Sequence, residues 1–436
     1  PRCFVDRKRA GVRGNRAECP RAAHLYLQPG KLVVQSPLVH ALSAQRLEAK
    51  GIEAKLRGDA INRVIHAFSA SRPRTWMPGN SEMGQASTHL LPLPPFRKNS
   101  SGCGRTKFVE TKQFGRTDMQ VSRLTFGCGA VGGLMTKGEP ADQDRAVAWA
   151  RDHGINFFDT AASYGNGASE RNLGRALAGN TDGIYVSTKV GLSPEHMVDV
   201  ETAVRGSLEA SLTRLGLDHV DLFQLHNTIG VSDHRGTMRL ANVIEDVLPV
   251  FEQLRDEGKT RYLGFTAKGS TDDLHALVET QRMDSAQIFY NLLVPSAGES
   301  ALPDYPAEDY RQLLSAARSH GVGSIGVRVL AGGALAGHTN RHPLGMPEVA
   351  PIGSPTTYGE DAERARRFAP LIEAGFAGDL PELAVRYVIS NPELCTTEIG
   401  IATLAEVQRA AAAINAGPLP KEALEMVADI QAGFAV

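Results

Sequence analysis

Residues 157–165 read FFDTAASYG. Two aromatic residues lead directly into a carboxylate, Asp159, and a loop of small residues then carries Tyr164. A short apolar run that ends in a polar side chain is typical of a strand in a parallel sheet, because such sheets place their sites at the carboxyl ends of the strands. The stretch therefore predicts a buried strand that ends at Asp159, followed by a loop that can bring Tyr164 back over that end.

Other apolar runs of this kind lie along the chain, with amphipathic helical patterns between them. The predicted strands cover residues 124–127, 156–159, 184–189, 220–226, 262–266, 286–290, 323–327 and 398–400. A hairpin over residues 107–114 and 121–126 is predicted to begin the series. Eight alternations of strand and helix indicate the α/β class and a (β/α)8 TIM barrel, a fold of about 250 residues or more.

Charge divides the chain into two parts. Residues 1–108 have a net charge of +13, and the remaining residues have one of −14. The first part also lacks sustained periodicity, apart from one possible helix around residues 43–68. We therefore expect a basic, weakly structured N-terminal extension over residues 1–108 and a barrel domain over residues 109–436. A transit peptide, an arm that binds nucleic acid and a product of an upstream translation start are the alternatives for the extension.

Composition limits where the protein acts. No uncharged apolar run approaches the about 18 residues of a membrane-spanning helix, and no secretory signal is present. The five cysteines have neither a disulfide framework nor a zinc-binding spacing. These features predict a cytoplasmic protein that binds neither metal, membrane nor nucleic acid. They leave its oligomeric state open.

Two more strands are predicted to end in titratable side chains, Lys189 and His226. With Asp159 and Tyr164 they would meet at one rim of the barrel. A structural ion pair between Asp159 and Lys189 is the simpler interpretation. The presence of Tyr164 favours a catalytic interpretation, because a nearby ammonium is expected to lower the pKa of the phenol. Tyr164 could then act as a general acid toward a carbonyl oxygen, and His226 would orient that oxygen.

Residues 157–165 and the stretch LFQLH at 222–226 closely resemble signatures of the aldo-keto reductase superfamily. The resemblance extends over residues 109–414. It implies a (β/α)8 barrel and a reversible hydride transfer between NAD or NADP and a small-molecule carbonyl or alcohol, sugars included. It also implies that Tyr164 donates the proton, that Lys189 and Asp159 tune it, and that His226 orients the substrate.

The same resemblance implies a set of cofactor contacts, some of which depart from the family pattern. The implied contacts are Thr266 and Gln287 for the carboxamide, Arg328 for the nicotinamide face, Leu330, Gly332 and Gly333 for the pyrophosphate, and Gly400 and Glu406 for the adenosine half. Glu406 occupies a position where a cation would bind the 2′-phosphate of NADP. A carboxylate there favours NAD, although Arg409 three residues later would favour NADP.

Three other functions compete with this interpretation. Residues 127–132 read GCGAVG and match the dinucleotide-binding pattern of Rossmann dehydrogenases, but Gly138 and Pro140 delay the helix that should begin inside that motif. A regulatory barrel that binds NAD(P)H without turnover shares the fold of potassium-channel β subunits. A metal-dependent hydrolase would need clustered ligands at the strand ends, and the sequence shows none.

Overall fold

The computed structural model describes residues 108–231 and 236–435, together with two short strands near the N-terminus. Those strands, β1 (His24–Gln28) and β2 (Lys31–Gln35), form an antiparallel pair. The chain separates into two compact units, residues 1–99 and 100–436.

The helix predicted around residues 43–68 lies outside the described residues. The boundary between a basic extension and a barrel domain at residue 108 remains a prediction.

Eight parallel strands form a closed barrel in the second unit, which confirms the predicted (β/α)8 fold. Each barrel strand pairs with the next barrel strand in chain order, and the last one pairs with the first. The strands are β5 (Leu124–Gly127), β6 (Phe157–Asp159), β7 (Tyr185–Val190), β8 (Val220–Leu225), β11 (Thr260–Ala267), β12 (Ser285–Phe289), β13 (Gly323–Val327) and β14 (Thr396–Gly400). Two short parallel strands, β9 (Thr228–Ile229) and β10 (Thr237–Met238), lie in the loop after β8.

Helices cover the outside of the barrel, and their apolar faces pack against its strands. The helices are α1 (Leu134–Lys137), α2 (Pro140–Asp152), α3 (Ala168–Leu177), α4 (Val200–Leu215), α5 (Leu240–Asn242), α6 (Leu248–Asp256), α7 (Thr271–Glu279), α8 (Leu313–Ser319), α9 (Tyr358–Arg366), α10 (Ala369–Glu373), α11 (Leu380–Ser390), α12 (Leu404–Ala416) and α13 (Lys421–Ala432). A short 3-10 helix lies at Pro194–Val198, a 3-10 segment with a kink at Gly332 and Gly333 lies at Ala331–Ala336, and a π-helical turn, Val243–Val247, precedes α6.

Local sequence sets the helix ends. The Asp199 carboxylate accepts a hydrogen bond from the Thr202 amide at the start of α4. Gly216 ends that helix with a left-handed φ of 66°, which glycine adopts without strain. In the same way the Asp379 carboxylate caps α11 through the amide of Glu382.

A hairpin closes the N-terminal end of the barrel. It consists of β3 (Thr111–Gln113) and β4 (Gln120–Ser122), so its second arm ends earlier than the predicted residue 126. The hairpin inserts apolar side chains among residues from the lower barrel strands. The fully buried members of this floor are Phe114, Met119, Val121, Phe157, Leu222 and Ile325. Burial of one such side chain contributes about 1.5–3 kcal/mol, so the floor is a substantial part of the core.

Polar side chains form a layer above the apolar floor. Successive residues of a strand point to opposite faces, so residues two apart share the barrel interior. On β6, Phe157 belongs to the floor and Asp159 lies above it, and on β8 Leu222 is followed in the same way by Gln224. The carboxyl ends of the strands therefore place a polar layer on the barrel axis.

The glycine-rich loop after β5 packs against the protein's own backbone. A Cβ atom on Gly132 would lie 2.1 Å from the amide nitrogen of Ile401, and one on Gly133 would lie 1.9 Å from the carbonyl oxygen of Leu344. At a third glycine of the loop, Gly129, an added Cβ atom would lie 3.6 Å from the ring of Tyr164. The Rossmann alternative is wrong, because these strands close into a barrel.

Candidate active site

The Asp159 and Lys189 side chains form a fully buried ion pair at the carboxyl ends of β6 and β7. Lys189 also donates a 2.8 Å hydrogen bond to the carbonyl oxygen of Thr160. Asp159 accepts hydrogen bonds from the Ser187 hydroxyl and, at 3.0 Å, from the Gln224 side-chain amide. These hydrogen bonds offset the cost of burying two charges, and they fix the Lys189 ammonium in place.

Tyr164 leans over this ion pair. Its hydroxyl oxygen lies 3.4 Å from Lys189 Nζ, which is also 4.9 Å from the centre of the Tyr164 ring. The loop that follows turns through three successive residues with positive φ, Gly165 at 59°, Asn166 at 53° and Gly167 at 77°. Two of the three are glycines, for which this conformation carries no steric cost. The turn therefore allows the chain to reverse and enter α3 directly behind Tyr164.

Hydrogen bonds hold the Tyr164 loop at both ends. The hydroxyl groups of Thr160 and Ser169 lie 2.8 Å apart, and Ser169 donates to the carbonyl oxygen of Cys128 at 2.9 Å. These three residues are buried, so the contacts are shielded from water. The loop is thereby fastened to the first barrel strand as well as to its own.

The pKa of Tyr164 differs from the sequence prediction. Burial raises the pKa to about 12, and it outweighs the opposing charge of Lys189. The expectation that the ammonium lowers the net pKa of the phenol is therefore wrong, since the depth of the hydroxyl decides the balance. Tyr164 keeps its proton at neutral pH, in the form that a general acid needs.

His226 lies immediately after β8, and its backbone amide donates to the carbonyl oxygen of Val190 at 2.8 Å. The imidazole meets the Tyr164 ring edge to face, with centroids 5.7 Å apart. Burial and, to a smaller extent, the charge of Lys189 lower the pKa of His226 to about 4. The imidazole is neutral at neutral pH and can donate a hydrogen bond without adding a charge.

Gln224 and Ser187 hold Asp159, and sequence reasoning did not single them out. Each precedes a predicted site residue by two positions, Gln224 before His226 and Ser187 before Lys189. Residues two apart in a strand share a face, so this spacing was a usable signal.

Three of the strands bring the predicted carboxamide contacts together with a residue that was not predicted. The Thr266 hydroxyl donates to the side-chain oxygen of Gln287 at 3.2 Å, and the Gln287 amide donates to the carboxylate of Glu398 at 2.9 Å. Hydroxyl and amide groups of this kind suit the carboxamide of a nicotinamide ring. The polar layer therefore joins the ion pair and the predicted carboxamide contacts on one barrel axis.

Arg328 follows β13 in a left-handed conformation, with φ at 57°. Its guanidinium donates to the carbonyl oxygen of Ala350 at 3.2 Å. Burial lowers the pKa of Arg328, while the nearby hydroxyl of Tyr164 raises it. A non-glycine residue in this conformation costs of order 1–3 kcal/mol and is often found at functional sites. Arg328 thus lies within electrostatic reach of the Tyr164 hydroxyl, and its predicted contact with the nicotinamide face remains a prediction.

The predicted pyrophosphate segment forms the short 3-10 turn Ala331–Ala336, which begins after Leu330. Gly332 and Gly333 have φ values of 69° and 110°. Arg341 binds the turn from outside, with a 2.6 Å hydrogen bond from Nη1 to the carbonyl oxygen of Gly332. The glycines therefore allow a tight turn that a cationic side chain supports.

Glu406 lies in the first turn of α12, and Gly400 ends the preceding strand β14. The Glu406 carboxylate accepts a hydrogen bond from the Ala402 amide at 2.6 Å. Arg409, the residue that would favour NADP, forms an ion pair with Asp379. The Glu406 carboxylate would repel a 2′-phosphate, and Arg409 is already paired with Asp379. Both observations favour NAD over NADP, and this preference remains a prediction.

Two further properties concern the described residues alone. No group of three or more His, Cys, Asp or Glu side chains there is arranged to hold a metal ion. None of the helices in that part combines the length and apolar character needed to cross a membrane.

Comparison with known proteins relates the chain to one family. A model of the aldo/keto reductase family matches residues 123–432. L-galactose dehydrogenase of Arabidopsis thaliana is 29% identical over 313 residues, which make up 70% of this chain and 88% of that protein. A probable voltage-gated potassium channel subunit beta of the same plant is 24% identical over 338 residues, or 71% of this chain and 93% of the relative.

A solved structure shows the same fold. Aldo-keto reductase AKR11C1 from Bacillus halodurans, in its holo form, matches with a TM-score of 0.54 and 24% identity. The match covers 74% of this chain and 96% of that structure.

Proposed function

The chain belongs to the aldo/keto reductase family, and from that premise we propose that it interconverts a carbonyl compound and its alcohol by hydride transfer with a nicotinamide cofactor. Tyr164 is the residue that exchanges the proton. The observation that carries this proposal is the contact between the Tyr164 hydroxyl and the buried Lys189 ammonium, which Asp159 holds in place.

Each residue has a defined part in the proposed reaction. When bound, the reduced cofactor supplies a hydride to the carbonyl carbon. Tyr164 gives its phenolic proton to the carbonyl oxygen, which yields the alcohol and leaves a phenolate beside the Lys189 ammonium. In the reverse direction the phenolate takes the hydroxyl proton of the alcohol. Neutral His226 donates a hydrogen bond to the same oxygen and so orients the substrate.

We place the substrate among sugars and other small hydroxylated carbonyl compounds. The relative named L-galactose dehydrogenase covers most of this chain, which supports a sugar. The cofactor is NAD rather than NADP. Support comes from the Glu406 carboxylate at the start of α12 and from the engagement of Arg409 with Asp379.

A regulatory barrel without turnover is the second candidate, because a relative carries the name of a channel β subunit. Such a protein needs a cofactor site and has no use for a proton donor. The hydrogen-bonded set of Asp159, Lys189 and Tyr164 favours catalysis.

The two candidates separate in one experiment on the full chain. A panel of aldoses, aryl aldehydes and the corresponding alcohols is incubated with NAD+, NADP+, NADH or NADPH, and nicotinamide absorbance is followed in both directions. We expect turnover of at least one hydroxylated substrate. Tight binding of NAD(H) without turnover across the panel would favour the regulatory barrel, and absence of binding would exclude both candidates.

A further inference from the structure

Glu398 is a carboxyl group in the polar layer that the proposed reaction leaves unused. It lies on β14, with its side chain toward the barrel axis, where it accepts the 2.9 Å hydrogen bond from Gln287. The carboxyl group of Asp159 lies within hydrogen-bonding reach of it. Glu398 thus touches both the predicted carboxamide contact and the catalytic ion pair.

A glycine makes room for the contact between the two carboxyl groups. Strand β5 lies between β14 and β6, and its last residue, Gly127, pairs with Gly400 on one side and Asp159 on the other. A Cβ atom on Gly127 would lie 3.2 Å from Glu398 Cγ and 2.7 Å from the carbonyl oxygen of Ile399. Because position 127 has no side chain, the carboxyl groups of Glu398 and Asp159 can meet across it.

Two carboxyl groups can hydrogen-bond to one another only when one of them carries a proton. The charges around Glu398 favour that state. Four titratable groups in the described part of the chain lie within electrostatic reach of it: Asp159, Lys189, Tyr164 and Cys128. Among these, the Lys189 ammonium is the one cation, and it already pairs with Asp159.

Burial raises the pKa of the Glu398 carboxyl well above its usual range, and the negative charge of Asp159 raises it further. Glu398 therefore keeps its proton beside the ion pair of Asp159 and Lys189, and the layer formed by these three residues has no net charge.

We propose that Glu398 sets the charge of the cofactor site: it holds one proton beside Asp159 and releases it when a positively charged, oxidised nicotinamide ring binds at Gln287. The inference rests on the proposed function, because it uses the predicted contact between Gln287 and the carboxamide. One proton leaves for each oxidised cofactor bound, and its loss balances the charge of the ring. A reduced ring is neutral and releases none.

The consequence is a preference between the two redox forms that changes with pH. Release of one proton makes the affinity for the oxidised cofactor rise by up to about tenfold for each pH unit, while the affinity for the reduced form stays constant. Rising pH therefore directs the enzyme toward oxidation of the alcohol.

Calorimetry on the full chain tests the inference. NAD+, NADP+, NADH and NADPH are each titrated at several pH values in two buffers with different enthalpies of ionisation, which gives the number of protons exchanged. We expect release of about one proton with the oxidised form of the preferred cofactor and none with its reduced form.

Variants assign the proton to its residue. Glu398→Gln keeps an oxygen that accepts from Gln287 and removes the titrating group. It should abolish proton release, flatten the pH dependence and shift the ratio of the two dissociation constants about tenfold toward the reduced form. Glu393→Gln, at the closed end of the barrel before β14, is the control and should keep the wild-type proton release.

The Tyr164→Phe variant excludes the other candidate source of the proton. It should still release a proton on binding the oxidised cofactor, and loss of release in this variant would assign the proton to Tyr164 and overturn the inference. Equal proton exchange with both redox forms of the wild-type protein would overturn it as well, whether or not Glu398→Gln folds. Failure to bind any of the four cofactors would overturn the proposed function too, whereas turnover without proton release would overturn the role of Glu398 alone.

Discussion

The ring of Tyr164 stands at 84° to the imidazole of His226, with the ring centroids 5.7 Å apart. Both side chains are uncharged at neutral pH, because burial raises the pKa of Tyr164 to about 12 and lowers that of His226 to about 4. Each can donate a hydrogen bond, and Tyr164 alone has a cation beside its oxygen. This difference supports the proposed roles, in which Tyr164 transfers the proton and His226 orients the substrate.

Replacement of Tyr164 by Phe should lower kcat by at least about 100-fold, the range ascribed to general acid catalysis. Binding of the cofactor should stay close to wild type, because the phenyl ring keeps the packing. Steady-state kinetics and cofactor titration measure both effects. Tyr262→Phe is a suitable control, since Tyr262 accepts a hydrogen bond from the Asp118 amide at the other end of the barrel. Near-normal turnover in Tyr164→Phe would remove this residue from the mechanism.

The variant Lys189→Met should lose both activity and stability. It removes the cation beside Tyr164 and leaves the Asp159 carboxylate buried without its partner, which typically costs about 3–5 kcal/mol. Denaturant unfolding measures the loss of stability.

The double variant Lys189→Met with Asp159→Asn separates the two effects. It should recover stability, since the unpaired charge is gone, and it should remain inactive. An active double variant would show that the ion pair is structural. Lys421→Met, which disrupts an exposed ion pair with Glu425, serves as the control for loss of a lysine.

His226 should make the fold sensitive to mild acid. Its pKa in the folded protein is about 4, below the ordinary value of 6.5, so between these values the unfolded chain binds more protons than the folded one. Stability therefore falls as the pH decreases from about 6.5 toward 4, by up to about 3 kcal/mol. Unfolding free energies measured across this range should show a smaller slope in His226→Gln. An unchanged slope in that variant would assign the effect to other groups.

The cofactor preference should depend on the first turn of α12. The wild-type protein is expected to bind NAD+ more tightly than NADP+, and Glu406→Arg should reduce that ratio by at least about tenfold, or 1.4 kcal/mol. Parallel titrations with the two cofactors give the ratio. Glu422→Arg in the first turn of α13 is a matched control, because it makes the same charge change at another helix start. A wild-type preference for NADP+ would contradict the assignment of Glu406.

The barrel was predictable because its strands and helices have distinct local signals. The run that ends at Asp159 is too short and too apolar for a surface helix, while residues 200–215 have a helical period and a terminal Gly216. Parallel strands then dictate that Asp159, Lys189 and His226 share one rim. This part of the site follows from strand order alone, without any knowledge of distances.

Other features depended on three-dimensional detail. Glu398 lies in a predicted strand, but whether it points into the barrel depends on the register between β14 and β5, which no local pattern specifies. The pKa of Tyr164 depends on a balance between burial and the charge of Lys189, and burial is known only once the loop is placed. The residue types indicated that burial raises the pKa of Tyr164 and that the charge of Lys189 lowers it. Only the depth of the Tyr164 hydroxyl decides which of the two effects is larger.

The apolar floor built by Phe114, Met119 and Leu222 fills the interior of the barrel at the amino ends of its strands. In the proposed reaction, cofactor and substrate would share the entrance at the carboxyl ends of the strands, so the one bound deeper would load first and depart last. In kinetic terms the floor would impose a compulsory order of addition, with the second product released only after the first. The hairpin at the opposite end of the barrel would thereby constrain the sequence of events in each turnover.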